Sequence, residues 1–421
     1  MRILIVNTNE RTGGAAVAAN RLMEALNNHG VKAKMLVSEK QTDRLTVVGL
    51  PPSLRLRWHF LWERLVIFFH THFSREHLFE IDIANSGTDI TRLPEFREAD
   101  VIHLHWINQG MLSLSDIRKI LRSGKPVVWT MHDIWPATAI CHLTLQCKNY
   151  KSRCHHCRLL PGGGSANDLS ASTWRRKEQT LRDQNIFFVA CSRWLAGEAK
   201  SSALLRGQKI TCIPNPIDTR IYHPREKAEA RRAYGLPADK KLLLFVAQRA
   251  TNQNKGMDYL VEACKTLAIT HGDSLGVIIL GGHADEVSSS FTLPVYPLGY
   301  VTSDDELTKI YSAADVFVLP SLSENLPNTI MEAMACGVPC VGFNVGGIPE
   351  EIDHLQNGYV AQYRNADDLA RGIEWVLGEA HADDLRQQCL RKVAHTYSQS
   401  AIALRYVEVY NQVLALKHYK L

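Results

Sequence analysis

Short apolar runs that end in loops and are followed by helical patterning recur along the chain, which is the pattern of parallel sheets covered by helices. Arg2 to Asn7 reads as a first strand, followed by a loop carrying Gly13-Gly14 and a helix from about Ala15 to Asn28. Val101 to Trp106 and Pro126 to Asp133 each read as a strand entering a polar loop, so both deliver histidines (His103, His105, His132) to one edge of a parallel sheet. Ile186 to Ala190 is a further strand, and Ser192 is placed to cap the helix after it. The alternation pauses at Ile210 to Asp218, where two prolines in three residues keep the backbone extended and stiff, and restarts at Lys241 to Ala247. An α/β architecture of two Rossmann-like, doubly wound domains follows: residues 1–212, a hinge at 213–218, and residues 219–394. At 421 residues the chain is long enough for two such cores.

The second half contains the stretch with the most chemistry. Val316 to Leu319 is an apolar run closed by Pro320, and a helix is predicted from near Pro327 to the stop at Gly337 and Pro339. That places Glu324 on the loop and Glu332 inside the helix, with the unpaired amides of Leu326 to Thr329 between them. A helix N-terminus of this kind attracts phosphate, and a carboxylate on either side suits a sugar nucleotide. The plainer reading makes Glu332 a solvated helix charge and Glu324 an acid favoured by the helix dipole. Arg249 and Lys255 stand six residues apart on one strand-to-helix loop. Either they reach a common diphosphate or they are two surface charges.

Composition narrows the class. The apolar share of 45% and charged share of 22% are those of a soluble globular protein. The formal charge is only +5, yet Cys141 to Arg182 carries eight Lys or Arg against two acids, so the basic excess is one patch and no nucleic-acid partner is expected. The first apolar run is too short for a signal-peptide core, so the ten cysteines are expected to be reduced or metal-bound. Cys141, Cys147, Cys154 and Cys157 include a C-x2-C spacing suited to a structural zinc ion, with His142, His155 and His156 as alternative ligands; reduced cysteines in a loop are the other reading. Leu54 to Phe79 mixes Trp58, Phe60, Trp62, Phe68, Phe69 and Phe73 with arginine and histidine, which fits either a helix buried at its apolar side or one lying at a membrane interface.

The phrase SENLPNTIMEAMACGVPCV, with R-x5-K-G at Arg249 to Gly256, T-x-H-D at Thr130 to Asp133 and GGIPE at Gly346 to Glu350, resembles the retaining glycosyltransferases of family 4. It is closest to the subset with a Cys-rich insert after the HD-W-P motif. The resemblance implies the GT-B fold, with two domains facing across a cleft and the segment 395–421 crossing back to the first domain. It implies a catalytic set of His132, Arg249, Lys255 and Glu324, with Asp133 orienting His132, and a donor-binding set of Gly14, Tyr300, Asn325, Leu326 and Glu332. Glu324 would hold the transferred sugar and Glu332 the ribose. The partners implied are a nucleoside diphosphate sugar donor and a glycan or lipid-linked glycan acceptor, used in cell-surface polysaccharide biosynthesis. No cofactor is required, because cations and amides can stabilise the leaving diphosphate. A cytoplasmic chain peripheral on the inner membrane face, touching it through 54–79 and the basic 141–182 region, is the expected location. An epimerase of the same fold and a catalytically silent sugar-nucleotide binder are the alternatives; the intact Arg249, Lys255, Glu324 and Glu332 argue against silence.

Overall fold

A computed structural model describes residues 1–51, 54–144, 146–378 and 382–418. Leu145 of the cysteine-rich insert, residues 379–381 of the second domain and residues 419–421 at the chain end therefore lie outside the described residues. Two compact units form, one from Met1–Pro214 with the chain from Ile402 onward, the other from Asn215–Ala401.

In the first unit seven strands, β1 (Arg2–Val6), β2 (Lys32–Val37), β3 (Val47–Gly49), β4 (Val101–Leu104), β5 (Val127–Met131), β6 (Ile186–Ala190) and β7 (Lys209–Cys212), lie in the order β3-β2-β1-β4-β5-β6-β7. In the second, β8 (Lys241–Arg249), β9 (Leu275–Gly282), β10 (Val295–Gly299), β11 (Val316–Leu319), β12 (Cys340–Phe343) and β13 (Gly358–Ala361) lie in the order β10-β9-β8-β11-β12-β13. Every neighbouring pair is parallel. Central strands such as β4, β5, β6 and β11 are buried at every position, which is why they read as unbroken apolar runs.

In both sheets the order reverses beside the first strand of the unit, β1 or β8, and loops there leave the carboxyl ends of neighbouring strands in opposite directions. Such a switch point is where open α/β sheets bind ligands. The helix Gln399–His418 begins in the second unit and enters the first, where Ile402, Ala403, Tyr406, Val409 and Tyr410 share a core with Ile3, Ile5 and Val128.

Candidate active site

At the switch point of the second unit, the loop after β11 meets the loop after β8. Gly256 makes this possible: its φ is 71°, and a Cβ there would stand 1.8 Å from the carbonyl oxygen of Pro320. Leu322 N–H donates to the Asn254 carbonyl at 2.8 Å, and Asn254 Nδ2 donates to the Ser323 carbonyl at 2.9 Å. This double tie brings Lys255 Nζ onto Glu324 Oε1, which also accepts from Ser321 Oγ at 3.0 Å. From the other side Gly346, at φ 58°, packs its backbone on that of Glu324; a Cβ would fall 1.7 Å from the Glu324 carbonyl oxygen. Gly346→Ala is therefore expected to displace Glu324, lowering both turnover and the melting temperature. Wild-type turnover in that variant would show that the contact has no catalytic consequence.

The helix Asn328–Ala335 starts directly beyond Glu324, with Pro327 as its N-cap and Gly337 (φ 74°) just past its end. Asn328 accepts a hydrogen bond at its side-chain oxygen from Asn215 Nδ2 at 3.0 Å, so the hinge phrase is fastened to the first helical residue. Asn325 is half-buried and Leu326 buried at this N-terminus. Glu332 is also buried, and its Oε2 accepts from Tyr311 Oη at 2.8 Å. Arg249 ends β8 with its side chain exposed, Nη2 lying 3.1 Å from His283 Nε2, while His283 Nδ1 lies 2.6 Å from Glu286 Oε1. Tyr300 follows the edge strand β10 and is exposed. The structure thus joins Lys255, Glu324 and the helix N-terminus directly, and sets Arg249 on the same strand-to-helix loop with its own histidine partner.

A carboxyl that the sequence reading passed over lies behind this site. Glu351 is fully buried, and neither carboxyl oxygen has a hydrogen-bond partner. Burial first, and then the charge of Glu324, push its pKa well above the usual carboxylate range. The folded state then binds the proton at pH values where the unfolded chain has released it, so stability falls as pH rises above the unfolded value. Glu351→Gln is expected to flatten the decline of melting temperature between pH 5 and pH 8; an unchanged slope would refute a proton held at Glu351.

In the first unit, Gly14 opens the helix Gly14–Asn28, with Gly13 as N-cap at φ 91°. His132 leaves the end of β5 with Nε2 2.8 Å from His105 Nδ1 and Nδ1 3.5 Å from Cys191 Sγ. Behind it His103 is held by Tyr410 Oη at Nδ1 and Thr130 Oγ1 at Nε2, both at 2.8 Å. Burial lowers His103 to about 3 and His132 to about 4, so both imidazoles are neutral at physiological pH. The Asp133 charge acts on His132 from the next position, and its carboxylate takes three further donors. It accepts from His142 at 2.7 Å, the Trp106 indole at 3.0 Å and the Trp135 amide at 2.8 Å, while His105 gives His132 a direct partner. His142 also meets Asp82 at 2.8 Å, and Asp82 is paired with Arg64 at 2.6 Å.

Among the described residues no group of three His, Cys, Asp or Glu side chains is arranged to hold a metal ion. The four cysteines of the expected zinc set, Cys141, Cys147, Cys154 and Cys157, lie near enough to one another to act on each other's ionisation. Cys154 is buried in the apolar core, with Cys141 and Cys157 packed against it, and burial pushes the Cys154 and Cys157 thiols up to about 12. The basic patch is also less superficial than its composition implies. Lys177 is buried, its Nζ 3.2 Å from the Trp135 ring centroid and donating to the Trp135 and Thr138 carbonyls at 2.6 and 3.0 Å.

The model for "Glycosyl transferases group 1" matches residues 226–393, and that for "Glycosyltransferase Family 4" matches residues 12–221. The chain belongs to glycosyltransferase family 4. An uncharacterized glycosyltransferase of Methanocaldococcus jannaschii is 28% identical over 79% of this chain and 89% of its own length. The N-acetyl-alpha-D-glucosaminyl L-malate synthase of Bacillus anthracis is 26% identical over 55% of this chain and 61% of the relative. The fold matches that of the sucrose-phosphate synthase from Thermosynechococcus elongatus, with TM-score 0.68, 20% identity and 99% of each chain covered. It also matches Anabaena Alr3699/HepE, solved in complex with UDP-glucose, with TM-score 0.64, 15% identity, and 98% of this chain and 100% of that chain covered. The family-4 glycosyltransferase described here is therefore an α/β enzyme of the GT-B fold, built from two Rossmann-like parallel sheets.

Proposed function

We propose that this family-4 glycosyltransferase moves a sugar from a nucleoside diphosphate sugar to a hydroxyl of a glycan or lipid-linked glycan, with retention of anomeric configuration, in cell-surface polysaccharide assembly. The observation that carries the reading is the Lys255–Glu324 pair held at the N-terminus of the helix Asn328–Ala335. As the bond from sugar to diphosphate breaks, negative charge accumulates on the leaving phosphate. Lys255, Arg249 and the amides around Asn325 to Asn328 stabilise that charge in the transition state. Glu324, released from Lys255 when the diphosphate takes over the ammonium, accepts hydrogen bonds from sugar hydroxyls. Glu332 serves the ribose, by exchanging its Tyr311 partner or by sharing the second carboxylate oxygen. Neutral His132, carried on the other unit, offers a ring nitrogen to a sugar hydroxyl without acting as a base. Gly14 and Tyr300 complete the donor contacts through backbone.

Two related proteins supply context for substrate class. HepE was solved with UDP-glucose, and a Campylobacter jejuni relative, 30% identical over 46% of this chain and 50% of its own length, is named an N-acetylgalactosaminyltransferase acting on a diphospho-undecaprenol sugar. The test is a panel of nucleoside diphosphate sugars with and without glycan acceptors, read as release of nucleoside diphosphate and by the anomeric signal of the product. Acceptor-dependent release with the α-configuration of an α-linked donor preserved is the expected result. Release without acceptor, yielding an altered free sugar, would instead identify an epimerase.

A further inference from the structure

The helix Leu54–His70 is turned inside out relative to an ordinary surface helix. Its buried positions include Glu63 and Arg64, with Ile67 beside them. Its outward positions include Trp58, Leu61 and Phe69, which are 58%, 57% and 52% exposed, together with Leu54, Trp62 and Leu65. The reversal has a local cause. Glu63 Oε1 accepts the amides of Ile83 and Ala84 at 2.9 and 2.7 Å, and Arg64 donates to the Leu78 carbonyl at 2.5 Å and to Asp82 at 2.6 Å. On the same side a Cβ at Gly110 would stand 2.7 Å from the backbone nitrogen of Phe60, so the helix backbone itself lies against the domain. With its polar side fastened inward, the apolar stripe faces out.

The stripe is ordered and continues past the helix. Trp58 and Trp62 stack with centroids 6.0 Å apart, and Phe73, 62% exposed, meets Phe68 and Phe69 edge-on at 5.5 and 5.3 Å. Phe73 takes φ 64° to reach that position, a conformation uncommon for a bulky residue. Exposed charge along residues 54–75 is of one sign: Arg55, Arg57 and Arg75, with His70 and His72 also exposed and Glu63, the one acid in the span, fully buried. Glu76 and Glu80 follow, facing His77 at 3.9 and 3.1 Å. A monomer rarely exposes so continuous an apolar surface, and tryptophan and phenylalanine flanked by arginine match the depth profile of a lipid headgroup layer. Among the described residues no helix is long and apolar enough to cross a membrane.

We propose that the aromatic face formed by Trp58, Leu61, Trp62, Leu65, Phe69 and Phe73 docks the protein on an anionic lipid surface. Neither the partner nor the test depends on the reaction assigned above. The full chain is mixed with vesicles of phosphatidylglycerol and phosphatidylcholine in equal parts, with phosphatidylcholine vesicles as the control, and bound protein is measured by flotation. The expected result is binding to the anionic vesicles that weakens with added salt, with tryptophan emission shifted to shorter wavelength. Trp58→Asp combined with Trp62→Asp is expected to weaken binding at least about tenfold, and Arg55→Gln with Arg57→Gln to reduce it on anionic vesicles alone. The wild-type emission shift and quenching by brominated lipid read the contact without any variant. Absence of binding to anionic vesicles, or binding that the tryptophan changes leave intact, would overturn the proposal. So would a dimer of this chain that the same changes dissociate while vesicles are ignored.

Discussion

Lys255→Ala is expected to lower kcat for sugar transfer by roughly a hundred- to a thousandfold, the usual loss when one preorganised electrostatic stabiliser is removed from a transition state. The fall should exceed any change in KM for the donor, because the diphosphate is bound in the ground state by several groups while the extra charge appears only as the glycosidic bond breaks. Lys255 is well set for that task. It ends a short turn capped by Asn252, Gly256 follows in the left-handed conformation, and the bonds from the Asn254 carbonyl and side chain to the Leu322–Ser323 segment fix the turn against the loop of its partner Glu324. Its pairing with Glu324 in the unliganded protein keeps the ammonium in place without burying an uncompensated charge. Glu324→Gln separates the two roles: it frees Lys255 while leaving the charge on the lysine, so donor affinity should be less affected than turnover. Steady-state kinetics with donor and acceptor varied in turn would decide the matter. A Lys255→Ala enzyme with wild-type kcat would remove this residue from the mechanism and leave the leaving-group charge to Arg249 and the helix amides.

Much of this site was legible because it is local. Pro327 and Gly337 bound the helix of Glu332 in sequence as they do in the fold, and the run Val316 to Leu319 delivers Glu324 to a sheet edge whatever surrounds it. The approach of Lys255 to Glu324 follows from the sheet order: both leave the ends of adjacent parallel strands, β8 and β11. What could not be read were partners set by distant segments. Tyr311 beneath Glu332 and Tyr410 behind His103 are 21 and 307 residues away from the groups they hold. The orientation of the aromatic helix depended on the free amides of Ile83 and Ala84, in a stretch with no periodicity to announce it. Asp133 was expected to orient His132, and nothing in the sequence marked His142, an alternative metal ligand in that reading, as a partner of its carboxylate. A histidine between two carboxylates can be recognised only when both are in view, and Asp82 lies 60 residues upstream.

That histidine should matter more to the first unit than any of its neighbours. Burial alone would lower the pKa of His142, but Asp133 and Asp82 outweigh it and raise the imidazole to about 10, while the imidazolium in turn holds both carboxyls below their usual range. His142→Leu removes the cation and leaves Asp133 with the Trp106 and Trp135 donors, whereas Asp82 keeps Arg64. Breaking a buried pair from one side costs about 3–5 kcal/mol, or a melting temperature lower by about 10 °C in a unit of this size. The sign of the pH dependence follows from a raised histidine pKa. The stabilisation is complete below the unfolded value near 6.5 and is lost as pH climbs through the folded value, so the wild-type protein should lose stability between pH 7 and pH 10 and the variant should lose less. Adding Asp133→Asn to His142→Leu removes the stranded charge and should restore part of the loss, a non-additivity expected only of groups in direct contact. Function offers an independent readout, since Asp133 without its imidazolium partner would raise the basicity of adjacent His132 and move the pH profile of kcat toward higher pH. If the single and double variants are equally destabilised and the pH profile stays where it was, His142 fills space in the insert and does not govern the charge of the His132 loop.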